Sequence, residues 1–94
     1  MNPDSVSKFY YVYVLRSMKS VMWYAGCTQD LRKRFKEHVD GKSEYTKGRG
    51  PYELIYYEAY RNKIDAFSRE KQFKSGQGKA YLRQRMKRFL TLSG

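Results

Sequence analysis

"VYVLRSMKSVMWYAGCTQDLRKRFKEH" (Val12–His38) is the key to the fold, because within 27 residues two short hydrophobic runs give way to a basic stretch with helical spacing. From Phe9 to Leu15, Tyr11, Tyr13 and Leu15 fall on one face and Tyr10, Val12 and Val14 on the other, the two-residue alternation of a strand. Both faces are apolar or aromatic, which places this strand at the centre of a sheet. Ser17 to Ser20 is a polar turn, and Val21 to Ala25 returns as a second, antiparallel strand ending at Gly26. Thr28 or Asp30 then caps a helix that runs to about Val39 and closes at Gly41. Its apolar residues Leu31, Phe35 and Val39 recur every four positions as one buried stripe.

Working outward, Gly41 to Gly50 reads as a polar loop, and Pro51 leads into a third strand, Tyr52 to Ala59. Asn62 caps a second helix to about Ser75, with Asp65 in its first turn. Gly76 to Gly78 is expected to break the chain before a third helix, Lys79 to Leu90. The order is β-β-α-β-α-α, an α+β class, in a single domain spanning 1–94 with a polar N-terminal tail over 1–8. No internal repeat or linker divides the chain.

Lys and Arg number 20 against 9 Asp and Glu, a net charge of +11 and an isoelectric point near 9.9, which favours a polyanionic partner through phosphate neutralisation. Residues 61–94 carry ten of those basic residues and two of the acidic ones, so the last third is the expected backbone-gripping surface. The apolar face there (Tyr81, Leu82, Met86, Phe89, Leu90) is explained by a core, and no membrane role is expected. With one cysteine, Cys27, and one histidine, His38, neither a Cys/His zinc site nor an internal disulfide can form. Cys27 reads as a small packing residue. The polar start and the lack of a spanning run lead to the expectation of a cytoplasmic protein.

Helical wheels single out three residues. With Leu31 at zero, Arg34 falls at about 300° and His38 at about 340°, together on one margin of the stripe, as a phosphate pocket beside the sheet requires. With Phe67 at zero, Ile64, Phe73 and Ala66 define an apolar face that includes Glu70 at about 300°, so a carboxylate is expected to point toward the core. Such an acid must be paired, with Arg34 or Lys74 as candidates, protonated, or bound to a metal; a lone Glu suits Mg²⁺. Tyr13 and Tyr24 are at home in strands, but together with Arg34 and Glu70 they could supply water activation, charge stabilisation and metal binding for phosphodiester hydrolysis.

The chain resembles the GIY-YIG nuclease family, whose two strand motifs are written here "YVY" (Tyr11–Tyr13) and "YAG" (Tyr24–Gly26). Tyr24 follows Tyr13 by 11 residues, Arg34 follows Tyr24 by 10, and His38 comes four later. "YTKGRGPYELIYYEAY" (45–60) and "AFSREKQFK" (66–74) resemble the loop, third strand and glutamate helix of the small free-standing subgroup related to the N-terminal nuclease domain of the bacterial excision-repair protein UvrC. The resemblance implies a small three-stranded antiparallel sheet flanked by helices. It implies that Tyr13 contacts or deprotonates the attacking water, that Tyr24 assists it and binds phosphate, and that Arg34 stabilises the transition state. His38 would handle protons, and Glu70 would hold a single Mg²⁺ or Mn²⁺. Tyr11 stands where the name motif has Gly, and Ala25 where it has Ile; neither removes a reacting group.

The function expected is therefore a metal-dependent endonuclease that cuts DNA at damaged, branched or distorted sites, with Lys42, Lys47 and Lys74 on the phosphate backbone. A rival from another class is a non-catalytic DNA- or RNA-binding module of the same fold. A protein partner is compatible with the sequence but not implied by it.

Overall fold

A computed structural model describes residues 8–43 and 46–93; the tail expected over 1–8 lies outside them except for Lys8. Three strands, β1 (Tyr10–Ser17), β2 (Trp23–Thr28) and β3 (Tyr52–Tyr60), form an antiparallel sheet in the order β2-β1-β3. The helices are α1 (Leu31–Val39), α2 (Lys63–Phe73), α3 (Gly76–Arg85) and α4 (Lys87–Ser93). The expected β-β-α-β-α-α order holds, with the last helix interrupted at Met86, whose backbone leaves the helical region.

The doubly apolar β1 is central because each face meets its own core. Tyr13 and Leu15 pack with Tyr24 and Tyr52 against Leu31, Phe35 and Leu54, while Val12 and Val14 pack with Ala66, Phe73, Leu82 and Met86. Helix α1 thus covers one face, and α2 and α3 cover the other. Leu82 and Met86 are buried, so part of the apolar C-terminal stretch is core. On the second face, Arg69 of α2 grips Glu58 of β3 with two hydrogen bonds (2.9 and 3.1 Å) and lies over the rings of Phe73 and Tyr81. Glu58 also accepts from Tyr56 and Tyr60. Burial alone would raise the Glu58 carboxyl, but these bonds outweigh it and hold the group below its ordinary 4.5.

Three expectations need correction. β2 begins at Trp23 and continues through Gly26 to Thr28, so Val21 belongs to the turn and is 91% exposed. Its register with β1 sets Leu15 opposite Tyr24 and Tyr13 opposite Gly26. Gly26 lies inside the strand because a Cβ there would collide with the Tyr13 phenol. The glycines at 76 and 78 do not break the chain: Ser75 caps α3 by accepting from the Gly78 N–H, which starts the helix at Gly76. Gly78 is needed because a Cβ would run into the Gln72 carbonyl as α3 closes on α2.

The buried stripe of α1 is also rotated from the one expected. Val39 is 58% exposed and His38 is 5% exposed. Apolar periodicity cannot anticipate this, since a histidine whose two ring nitrogens both find partners is buried at little cost. Asp30, rather than Thr28, is the N-cap, accepting from the Lys33 N–H, while Thr28 accepts from the Asp30 N–H.

Candidate active site

Because β2 is the edge strand, residues from both of its faces can open into a single hollow beside it. A cavity of about 180 Å³ lies there, lined by Tyr13, Tyr24, Arg34, His38, Glu70 and Lys74. Tyr13 belongs to the central strand and reaches the edge only because its ring lies across Gly26, which has no side chain. Tyr24 stands opposite Leu15 and is buried; its hydroxyl accepts from Arg49 at 3.3 Å and its ring meets Tyr52 edge-on. Arg34 and His38 arrive one helical turn apart on α1.

Arg34 Nε donates to the Tyr13 oxygen (3.3 Å), and the Tyr13 hydroxyl shares a hydrogen bond with His38 Nε2 (2.9 Å). His38 Nδ1 shares another with Thr46 Oγ1 (2.6 Å); in the Nδ1–H tautomer it donates to Thr46, and Nε2 accepts the phenolic proton. Burial, and after it the Arg34 charge, lowers the His38 pKa below its ordinary 6.5, so the ring is neutral at pH 7. Burial raises the Tyr13 phenol above 10.0, and Arg34 opposes that shift. In that tautomer the resting site holds a neutral phenol with a guanidinium on its oxygen and a neutral base on its proton. The arrangement can move a proton from Tyr13 to His38 while Arg34 stabilises the phenolate left behind.

Glu70 comes from α2 and is near enough to act electrostatically on Tyr13 and Cys27. It is not the core carboxylate expected: its side chain is 23% exposed and pairs with Lys74 at 3.2 Å. The buried face of α2 consists of Ala66 and Phe73, whereas Phe67 and Ile64 are 46% and 68% exposed. Glu70 thus lies on the rim of the buried face and opens into the cavity. Lys42 and Lys47 are exposed and do not line it.

Sequence reasoning missed the supports. Glu37 accepts from the Arg34 guanidinium (3.1 Å), Thr46 orients His38, and Tyr52 holds Thr46 in place by donating to its carbonyl (2.6 Å). Thr46 and Arg49 belong to the "TKGRG" run, whose concentration of polar and glycine residues ahead of a strand is the signal that could have flagged them.

Compared with known families, residues 9–87 match the model described as the GIY-YIG catalytic domain. The chain belongs to the GIY-YIG family. It is similar to the UPF0213 protein CPE1444 of Clostridium perfringens, 48% identical over 61 residues that make up 64% of each chain. It is also similar to the UPF0213 protein YazA of Bacillus subtilis, 47% identical over 66 residues, 69% of this chain and 66% of that one. Each match spans just under two thirds of the relative's length. Among solved structures, the solution NMR structure of the UPF0213 protein BH0048 from Bacillus halodurans aligns over 79% of this chain and 81% of that one, with 38% identity and a TM-score of 0.50. The residues that line the cavity at the β2 edge all fall within the span that matches this catalytic domain. Among the described residues, no helix is long and apolar enough to cross a membrane.

Proposed function

We propose that this chain is a metal-dependent endonuclease that hydrolyses DNA phosphodiester bonds at damaged, branched or otherwise distorted sites, working as a single domain in the cytoplasm. One observation carries it: Tyr13, Tyr24, Arg34, His38 and Glu70, from four different elements, line one cavity. Tyr13 positions the attacking water and takes its proton as His38 accepts the phenolic one; Thr46 keeps the receiving nitrogen facing Tyr13. Arg34 turns toward a non-bridging phosphate oxygen as charge develops there, and Tyr24 hydrogen-bonds the same phosphate.

The donor set fits a single Mg²⁺ or Mn²⁺. These hard cations take one or two carboxylates and fill their remaining positions with water and substrate oxygens. Glu70 is the carboxylate at the cavity, and the described residues contain no cluster of three or more His, Cys, Asp or Glu of the kind zinc demands. When bound, the cation neutralises charge on the leaving oxygen. Lys74 then exchanges part of its hold on Glu70 for the DNA backbone, and Lys42 and Lys47 add backbone contacts along the exposed loop.

The test is a panel of end-labelled linear, flapped and four-way DNA substrates, with RNA counterparts, incubated with pure protein with and without Mg²⁺. Mg²⁺-dependent nicking, strongest on the flapped or branched DNA, is the expected result. Salt-sensitive binding without cleavage under any metal would identify a non-catalytic binding module.

A further inference from the structure

The turn between β1 and β2 is apolar where a turn on a basic protein has no structural need to be. Met18, Val21 and Met22 are 57%, 91% and 44% exposed. They are not what holds the turn. Ser17 Oγ accepts from the Lys19 and Ser20 N–H groups (3.2 Å each) and donates to the Arg49 carbonyl, and Ser20 Oγ accepts from the Met22 N–H. Ser17 N–H bonds the Met22 carbonyl at 3.0 Å, and Met18 N–H bonds the Pro51 carbonyl at 2.8 Å. A backbone pinned by two serines thus presents three hydrophobic side chains to water, and contiguous exposed apolar surface marks a contact.

The surroundings say with what. Met18 and Val21 open onto a cavity of about 370 Å³ floored by Trp23 and edged by Arg83, whose guanidinium lies over the Trp23 ring at 5.2 Å. Arg16, in the same lining, is ion-paired with Glu53; none of the lining residues is acidic, and Lys19 stands exposed beside them. Apolar side chains at the tip of a fixed turn, flanked by cations and backed by an indole, complement a polyanion that can expose flat apolar faces. That is a nucleic acid with an unstacked base step. Methionine and other aliphatic wedges flanked by Arg and Lys are how proteins open such a step, at a cost that is smallest where the stack is already broken.

We infer that the Met18–Met22 turn is a wedge that inserts at an unstacked base step of duplex DNA, with Lys19 and Arg83 on the flanking phosphates. The preference for distorted DNA would then reside in this turn rather than in the catalytic cavity. That assignment of the preference rests on the proposed nuclease function, whereas the wedge itself does not.

The test uses the full chain in EDTA, where no cleavage occurs. It is titrated into a uniform duplex and into one carrying 2-aminopurine beside a single-nucleotide bulge. A rise in 2-aminopurine fluorescence and roughly tenfold tighter binding to the bulged duplex are expected. Substituting Met18→Ser, Val21→Ser and Met22→Ser together should remove both, while uniform-duplex affinity stays within about twofold. Should that variant melt early, Val21→Ser alone is read the same way. An undiminished preference and rise in the serine variant overturn the wedge. So does sedimentation of the wild type as a dimer that the same variant dissociates, which would make the turn a self-association surface. The two proposals fail separately: protein that gives the rise but nicks nothing with Mg²⁺ keeps the wedge and loses the nuclease, and nicking of bulged and uniform duplexes alike without any rise does the reverse.

Discussion

Arg69 and Glu70 are neighbours on α2, yet one closes a clamp and the other opens a site. Arg69 spends its donors on both Glu58 oxygens and on Gln72, between two aromatic rings; Glu58 in turn is filled by Tyr56 and Tyr60. The Tyr60 phenol, caught in this cluster, is pushed up to about 12, first by burial and then by its bond to Glu58. Glu70, about 100° around the helix, meets Lys74 and a cavity shared with Tyr13, Arg34 and His38. The difference teaches how to tell architecture from chemistry among charged groups. A carboxylate whose two oxygens each accept two hydrogen bonds, held by a guanidinium bound through all three nitrogens, has little left for a substrate, whereas a cavity ringed by a phenol, a neutral imidazole, a guanidinium and a carboxylate retains capacity for one.

The largest expected effect separates the two arginines by activity. Arg34→Ala should lower single-turnover nicking on the order of a thousandfold while the melting temperature stays close to wild type, because a transition-state donor is lost and little packing goes with it. Equal nicking by the variant would transfer Arg34 to the structural side of the comparison. The next effect separates them by stability. Arg69→Ala strands a half-buried carboxylate and should cost about 3 kcal/mol in urea unfolding, with nicking per folded molecule unchanged. A loss of less than about 0.5 kcal/mol would show the clamp to be a surface pair.

The smallest effect is in pH. The native pKa of His38 lies below 6.5, so between the two values the unfolded chain binds more protons than the folded one. The contribution of His38 to stability is complete above pH 6.5 and is lost as pH falls through its lowered native pKa. Nicking should fall in the same window, since a protonated ring cannot accept from Tyr13. Urea midpoints and initial rates measured from about pH 8 to about pH 5 check both. In the His38→Asn variant this part of both pH dependences should disappear, and its persistence would remove His38 from the account.

Much of this was legible in the sequence, for reasons that can be named. The two-face alternation of Tyr10–Leu15 placed β1 at the centre because no solvated face was available, and Asn62 announced α2 through its side chain. Glu70 was singled out on a partly mistaken premise. Phe67 and Ile64 were expected to be buried, but both are exposed, with Lys63 lying over the Phe67 ring at 5.4 Å. The carboxylate stands out even so, because Ala66 and Phe73 alone bring its edge of α2 against the sheet. What could not be read was anything that depends on a polar partner far along the chain. The burial of His38 requires Tyr13 and Thr46, and the passage of β2 through Gly26 requires the Tyr13 ring above it. Hydrophobic periodicity carries no information about such pairs.

The function proposed above requires that the cavity at the β2 edge, not the basic surface alone, let this chain act on DNA. Glu70→Gln keeps the shape of the side chain and removes its charge, so it tests that claim most directly by single-turnover nicking of a flapped duplex at saturating Mg²⁺. Loss of cleavage by a factor on the order of a thousand, with salt-sensitive DNA affinity retained, is the predicted result. Cleavage at the wild-type rate by that variant would contradict it.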